Sequence, residues 1–459
     1  MDFKNIKKIY FVGIKGSGMI ALVEIFKKMG KEVVGSDMEE IFFTDEILKK
    51  LGIFYYEGFN EDNINKEDEI DLIVYSTAYY LESNIELKLA REKGISILSY
   101  PEAIGELMKN NFSIAVCGTH GKTTTTAMLT LAMQGADANP TAIIGSKIKQ
   151  IGSNALLGKS DFFIIEADEY QNKFQYYNPM AVVLTNLDYD HPDYFKNFEE
   201  YKNAFKKFVK KIPRHGFLVV WGGSVDTLEI AKEAQCRIII YDNLSQTNQG
   251  LFNEIKSEFE KKDKYNIEFL NTPISLNLKV PGKHNLLNAT AALAVCQQLK
   301  LNERKVKESL ENYEGATRRF EYIGKCNGAI VIDDYAHHPE EIKATLKTIR
   351  TEYPGKKVIC VFHPHTFTRT KVLFSQFAQS FDEADKIIIL DIYGSAREKQ
   401  GGVSSQKLVE EIKKFHKDAE NISTIKETYE YLKDDVDNRD VIVTMGAGDG
   451  DKLAKMLVG

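Results

Sequence analysis

Short apolar runs, each closed by glycine or polar residues and followed by a helical period, recur along most of this chain. Such runs suit parallel strands covered on both faces, which have no polar side to show. Lys8 to Val12 opens the series and runs into Gly13-Ile14-Lys15-Gly16-Ser17-Gly18-Met19. A helical pattern follows to Phe26, closed by Gly30. Glu32 to Asp37 gives the next strand, then Asp71 to Tyr75 and Ile95 to Leu98. Phe112 to Val116 precedes a loop and a helical pattern that becomes clear from Ala127. Asp161 to Ile165, Ala181 to Thr185, Phe217 to Trp221 and Arg237 to Tyr241 continue the strand series. The polar stretch 243–265 reads as surface loops, and an alanine-rich helix opens after Pro281-Gly282. Near residue 315 the pattern restarts, with strands at Ala329 to Ile332, Lys357 to Phe362, Lys386 to Leu390 and Val441 to Thr444. Alternating strands and helices of this kind predict an α/β protein. At 459 residues it is too long for one core, and two to four domains are expected.

The polar clusters at the strand ends carry the chemistry. Gly118-Thr119-His120-Gly121-Lys122-Thr123-Thr124 stands where a strand turns into a helix. Glycines there let backbone N–H groups approach a phosphate, the lysine adds a point charge, and the following hydroxyl can meet a magnesium ion. The spacing is shorter than the usual G-x-x-x-x-G-K-[ST], yet Gly-Lys-Thr at a strand-to-helix turn is the part that binds. Glu166-Ala167-Asp168-Glu169 and Asn186-Leu187-Asp188-Tyr189-Asp190-His191 end two further strands, placed to face a nucleotide and its metal. The N-terminal glycines read G-x-x-G-x-G, with Asp37 at the end of the second strand to meet a ribose. Alone, this pattern serves cofactor binding and close helix–strand packing equally well. Ser76 and Thr77 sit just past a strand, at a carboxyl end. Asn285 and Asn288 share a helix face, as N-caps or as base-recognising groups.

Bulk properties narrow the class. With 43% hydrophobic and 27% charged residues the chain is globular, and a net charge of −6 argues against nonspecific nucleic-acid binding. The first residues lead straight into a strand without a signal-peptide core, and no apolar run is long enough to span a bilayer, so a cytoplasmic protein is expected. The five cysteines are scattered and lack metal spacing, as suits small buried hydrophobes in a reducing compartment.

Taken together, these motifs resemble the Mur ligases of peptidoglycan synthesis nearly end to end, most weakly at 200–280. The resemblance rests on Gly118 to Thr124, Glu166 to Glu169, Asn186 with Asp190-His191, and Gly282 with His284, Asn285 and Asn288. Arg318-Arg319-Phe320-Glu321, Asp333 to Pro339, and Thr444 to Asp449 add to it. It implies three domains: a Rossmann-like holder of a UDP-sugar at 1–110, a P-loop ATP-binding α/β domain at 111–314, and a C-terminal Rossmann-like α/β domain at 315–459. By similarity, Thr123 and Glu166 would hold one magnesium and His191 a second, with Lys122 spanning the ATP phosphates. Gly118, Thr119, His120, Gly121 and Thr124 would complete the cradle, and Asn288 would contact adenine. Arg319 and Asp334 would close over the nucleotide from the third domain. The implied reaction joins an amine to the carboxylate of UDP-N-acetylmuramate through an acyl phosphate, a step in which lysine and magnesium offset the repulsion of two anions.

The alanine-adding branch of the family is the nearest, making L-alanine the implied amine; the tripeptide-recycling branch is the alternative. Gly16, Ser17, Gly18, Asp37, Ser76 and Thr77 would meet the UDP-sugar, and Asp168, Glu169, His365 and Arg369 the acceptor side. Either His337 or Glu169 would position the amine. Tyr170 stands where the alanine-adding branch usually has serine, and Thr366 where it has arginine, leaving Arg369 for the substrate carboxylate. Other classes were weighed. A nicotinamide oxidoreductase would leave Gly-Lys-Thr and Asp190-His191 without a role, and a nucleotide-switched binding protein would hydrolyse ATP without any amine. A monomer or dimer is expected.

Overall fold

A computed structural model describes residues 1–40, 42, 44–241, 267–270 (backbone only), 276–394 and 401–459. The 243–265 stretch expected to form loops lies outside the described residues. Three sheets follow one another along the chain. The first contains β1 (Lys8–Val12), β2 (Glu32–Asp37), β3 (Tyr55–Glu57), β4 (Leu72–Tyr75) and β5 (Ser96–Ser99), in the order β3-β2-β1-β4-β5, all parallel. The second contains β6 (Phe112–Cys117), β7 (Thr141–Ile148), β8 (Ser153–Leu156), β9 (Phe162–Glu166), β10 (Ala181–Leu184), β11 (Phe217–Trp221), β12 (Arg237–Tyr241) and β13 (Ile267–Leu270). Their order is β13-β12-β11-β10-β6-β9-β7-β8, with only β8 antiparallel to its neighbour. The third contains β14 (Glu321–Cys326), β15 (Ala329–Asp334), β16 (Lys357–Phe362), β17 (Lys386–Ile389), β18 (Ala419–Asn421) and β19 (Asp440–Met445). Its order is β14-β15-β19-β16-β17-β18, with β14 antiparallel.

The strand order puts the ligand positions where physics expects them. In the second sheet β6 lies between β10 and β9, and the chain leaves β6 toward one side and returns at β10 on the other. At such a switch point the loops part and leave a crevice at the strand carboxyl ends. Three neighbouring strands therefore deliver the Gly118–Thr124 loop, the Glu166–Glu169 cluster and the Asn186–His191 cluster to one edge. The third sheet repeats the arrangement: Asp334, His363 and Gly446 follow β15, β16 and β19, which are also adjacent.

The cores divide unevenly. One continuous apolar cluster takes in Met19 and Val23 of the first unit together with Ile143, Ala155 and Phe174 of the second. The third unit has its own clusters on the two faces of its sheet. Ala316, at the junction, packs into an apolar cluster of the second unit, whereas the sheet of the third unit shares no apolar cluster with it among the described residues; polar contacts join the two around the phosphate loop and at the β7–β8 hairpin. Two local findings differ from the sequence expectation. The helix after the loop runs Lys122–Gly135, beginning five residues before the apolar period shows itself. Two of its threonines are satisfied within the helix, since the Thr126 and Thr130 hydroxyls donate to the carbonyls of Lys122 (2.8 Å) and Thr126 (2.7 Å). The β7–β8 hairpin, with its polar exposed turn around Lys149-Gln150, carries no alternating pattern that marks it in advance.

Phe174 anchors the segment after β9: its ring stacks on Phe208 at 4.1 Å and meets Phe205 edge-on at 5.2 Å. Phe174→Ala should cost about 3–5 kcal/mol, the usual range for deleting a buried phenyl group. An unchanged urea midpoint would show that the stack does not hold this segment.

Candidate active site

The phosphate loop is held by its neighbours before any ligand arrives. Gly118 and Gly121 have φ of +130° and +76°. A Cβ on Gly121 would lie 2.5 Å from Asn288 Oδ1, and one on Gly118 would lie 2.2 Å from Thr185 Oγ1, so only glycine fits either place. Asn186 grips His120 by both backbone groups, accepting its N–H at 2.7 Å and donating to its carbonyl at 3.0 Å. The Thr185 hydroxyl donates to the same carbonyl at 2.6 Å. Lys122 Nζ folds back onto the carbonyls of Gly118 (2.6 Å) and Thr119 (3.0 Å) and lies 3.5 Å from Glu169 Oε2. Burial opposes its charge, but Glu169, Asp168, Glu166 and Asp190 outweigh that and keep its pKa above the normal lysine value.

Two cavities flank this loop and share Gly121, Arg319 and Glu341. The larger, 420 Å³, draws walls from all three units: Ser17 and Gly18, then Lys122, Thr123, Glu166, Asp168 and His191, then His337, His365 and Arg369. The smaller, 260 Å³, is lined by Asn285, Asn288, Trp221, Tyr241 and Asp334. Neither asparagine caps its helix. Asn285 donates to the Pro281 carbonyl (2.6 Å), and Asn288 accepts the Thr125 hydroxyl (3.1 Å).

The acidic side of the larger cavity is built in layers. Thr123 Oγ1 donates to Glu166 Oε1 at 3.0 Å, Arg319 Nη2 donates to Thr123 Oγ1 at 3.3 Å, and Glu166 Oε2 accepts the Gly145 N–H at 2.8 Å. Asp168, Glu169 and His191 bring one potential ligand atom each to within 4.8 Å of one another. Glu169 is fully buried; its Oε1 accepts the Tyr201 hydroxyl at 2.9 Å, while Oε2 has no hydrogen-bond partner. Lys173 pairs with Asp168. His191, which lines this chamber, has φ of +55° without being glycine, a strained backbone of the kind that functional sites hold.

Residues from the third unit reach in. Arg369 is buried and forks onto Asp190 (2.9 and 3.3 Å), with Nη1 3.4 Å from His365 Nδ1. Arg318 is taken up within the third unit by Asp333 and the carbonyls of Gly446 and Gly448, which leaves Arg319 as the arginine that enters both cavities. Asp334 accepts the N–H groups of Ala336 (2.7 Å) and Phe320 (2.9 Å). Burial outweighs Arg319 and raises its pKa to about 6. Burial lowers His337 to about 3, so the ring is neutral, and its Nδ1 lies 2.9 Å from the Tyr335 carbonyl.

The N-terminal residues behave unequally. Ser17 and Gly18 line the chamber, and Gly16 precedes their helix. Asp37 is turned inward, accepting N–H groups of Lys15 (2.7 Å) and Met38 (2.8 Å) and the Tyr79 hydroxyl (3.1 Å). Ser76 and Thr77 lie in the turn after β4, outside both cavities.

Comparison with known proteins decides the family. Models described as Mur ligase family catalytic domain, Mur ligase middle domain, and Mur ligase glutamate ligase domain match residues 8–112, 116–296 and 318–448. The UDP-N-acetylmuramate–L-alanine ligase of Desulfitobacterium hafniense is 40% identical over 452 residues, covering 98% of this chain and 99% of that protein. The chain belongs to the Mur ligase family. Among solved structures, the UDP-N-acetylmuramate-alanine ligase of Thermotoga maritima superimposes with a TM-score of 0.77 at 26% identity over 98% of both chains. A murein peptide ligase from Psychrobacter arcticus gives 0.69 at 22% identity over 99% of both, a likeness of fold.

Sequence reasoning passed over several groups in this Mur ligase site. Trp221 and Tyr241, at the ends of β11 and β12, line the smaller cavity; their position at strand ends in the same sheet was the available signal. Glu341 and Tyr201 were missed because no local pattern ties either to the strand-end clusters, and Asp188 was named only as a member of the cluster after β10, without a role of its own. His120 sits between two of them, with Nδ1 3.1 Å from Glu341 Oε1 and Nε2 3.1 Å from Asp188 Oδ2, its ring 4.7 Å from that of His338. Burial works against its charge, yet the carboxylates raise its pKa from 6.5 to about 9. A raised pKa stabilises the fold fully below the unfolded value near 6.5 and loses that contribution as pH climbs through about 9. The thermal-stability gap between wild type and His120→Gln should therefore close above that pH; a gap constant from pH about 6 to 10 would show that the ring does not titrate there.

Proposed function

We infer that this protein is an ATP-dependent ligase joining L-alanine to the carboxylate of UDP-N-acetylmuramate in peptidoglycan precursor synthesis. One observation carries the reading: a single chamber is walled by all three sheet units and contains Lys122, the acidic cluster and Arg369. Full-length identity to an alanine-adding ligase supports the choice of amine. We assign residues 1–110 to the UDP-sugar, 111–314 to ATP and chemistry, and 315–459 to the amino acid. No helix among the described residues is long and apolar enough to cross a membrane, which is compatible with action in the cytoplasm.

The residues divide the work by their chemistry. Gly118 to Thr124 present N–H groups and Lys122 to the triphosphate, with the base beside Asn288, Trp221 and Tyr241. Arg319 and Asp334 close that site from the third unit. Ser17 and Gly18 mark where the sugar acid enters the chamber, and Gly16, Asp37, Ser76 and Thr77 lie toward the uridine end.

The donor set fits magnesium. Thr123, Glu166 and Asp168 offer the oxygen ligands a hard cation prefers, and Glu169 Oε2, which faces Lys122 without a hydrogen bond, adds a buried acceptor beside Asp168 and His191. Thr123 and Glu166 would hold one magnesium ion and His191 a second, and these would offset the repulsion between the attacking carboxylate and the γ-phosphate. Lys122 leaves its loop carbonyls to meet the phosphates, exchanging hydrogen bonds without leaving a donor bare.

Of the two candidates for positioning the amine, the geometry favours His337. Glu169 is already committed to Tyr201 and Lys122. His337 gives its Nδ1 proton to a carbonyl, so Nε2 remains an acceptor for an incoming ammonium. Arg369 suits the amino-acid carboxylate if Asp190 shares it. Tyr170 has a role independent of the acceptor: its ring lies 4.7 Å from that of His191 and its hydroxyl donates to Asp193 at 2.7 Å. It therefore does not by itself favour the tripeptide reading.

Phosphate release with ATP and UDP-N-acetylmuramate should depend on L-alanine; release only with a tripeptide would transfer the enzyme to the recycling branch. Lys122→Ala should abolish turnover, with a loss of about 100-fold or more, since it removes the charge aimed at the transferring phosphoryl group. Turnover near wild type would remove the premise. His191→Ala should raise the magnesium concentration needed for half-maximal rate, and an unchanged titration would exclude His191 as a ligand.

A further inference from the structure

The third unit meets the second through several polar contacts, and one of these starts within the phosphate loop itself. His120 has both backbone groups pinned by Asn186, which fixes where its side chain leaves the loop. The ring reaches out of the loop to Glu341, on the helix Pro339–Glu352 of the third unit. Glu341 Oε2 in turn accepts the N–H groups of His337 (2.9 Å) and His338 (3.2 Å), which fixes the start of that helix and the neutral ring of His337. His338 Nε2 lies 3.4 Å from the Tyr189 carbonyl beside this contact. Asp188, in the strand-end cluster after β10, holds the far side of the His120 ring.

We propose that His120 is a positioning residue: through Glu341 it docks the third unit on the phosphate loop, so that Arg319, Asp334 and His337 arrive in register with the nucleotide. The proposal rests on the ligase reading above and extends it to what aligns the third unit. Two features make the contact suited to this task. It couples the loop that holds the phosphates directly to the helix start that carries the amine-positioning histidine. It also carries compensating charge: a cationic ring between Glu341 and Asp188 keeps two carboxylates from facing an incoming polyphosphate unscreened, consistent with the raised pKa of the ring. Without that ring, Glu341 and Asp188 would repel each other and the nucleotide.

This charge arrangement predicts the sign of a double-mutant cycle. His120→Asn should lower kcat/KM for ATP by about tenfold or more, the scale of removing one partner from a buried charge pair. Glu341→Gln should cost less, because the amide oxygen still accepts the His337 and His338 N–H groups. The double variant should recover about threefold or more over His120→Asn alone, since one of the two opposed carboxylates is gone. Single effects that simply multiply, or His120→Asn within about twofold of wild type, would overturn the proposal. Solution scattering of the ligand-free proteins provides a second readout. His120→Asn should show a larger radius of gyration than wild type, and equal radii would count against docking. Wild type assayed in parallel separates the two ideas. If it releases no phosphate with L-alanine, ATP and UDP-N-acetylmuramate, the ligase reading falls, while scattering still judges the docking contact.

Discussion

The grip of Asn186 on both backbone groups of His120 is the constraint on which the rest of this structure depends. A phosphate loop must present N–H groups in fixed directions, yet its glycines give it every freedom to do otherwise. Here that freedom is removed by the neighbouring strand: β10 runs beside β6, and the residues just past its end, Thr185 and Asn186, reach across to the loop. The parallel register of β6 and β10 thus becomes the geometry of the anion site. Glu166 gains its place the same way from β9, on the other side. The site is preorganised by sheet register, which is rigid, with the flexible loop held to it.

A second division follows from where apolar surface is buried. The first two units share a core, so the end of the chamber carrying Ser17 and Gly18 is fixed relative to Lys122. The third unit has its own core and meets the others through ion pairs and hydrogen bonds. Polar interfaces separate at modest cost because water replaces the lost partners, whereas an apolar core does not. The chemistry wants this arrangement. Substrates must enter and water must then be excluded around a reactive acyl phosphate, and one unit bearing Arg319, Asp334 and His337 can serve as the closing wall.

How much of this was legible in the sequence depended on how local the signal was. The buried strands and their polar ends were plain, since apolar runs of strand length closed by Gly-Lys-Thr or Asp-His are contiguous in the chain. The alanine-rich helix with Asn285 and Asn288 was plain for the same reason. The β7–β8 hairpin was not, because its turn is polar and its edge exposed. The aromatic walls Trp221 and Tyr241 were passed over because each is one ordinary residue at the end of an apolar run. Glu341 shows the limit most clearly. It sits three residues beyond the His337-His338 pair on a helix start, where an acidic side chain is expected as a cap, and it does cap. Its other oxygen crosses to a loop more than two hundred residues earlier, a contact no local pattern encodes. Asp37 is the reverse case: a residue well placed in sequence to meet a ribose, whose carboxylate is already occupied by Lys15, Met38 and Tyr79.

The charge balance of the chamber joins these points. Glu166, Asp168, Glu169 and Asp190 gather around Lys122, and burial alone would strip charge from such a group. Two buried pairings keep it ionised: Arg369 holds Asp190 well below the usual carboxylate range against the pull of burial, and Lys173 does the same for Asp168. Glu169 is left with one oxygen unmatched, and Lys122 is tied to carbonyls it must abandon when phosphate arrives. The carboxylates and the basic groups thus balance one another within the chamber. A metal–triphosphate complex, as proposed above, would add charge of both signs together and so disturb this balance less than either ion alone.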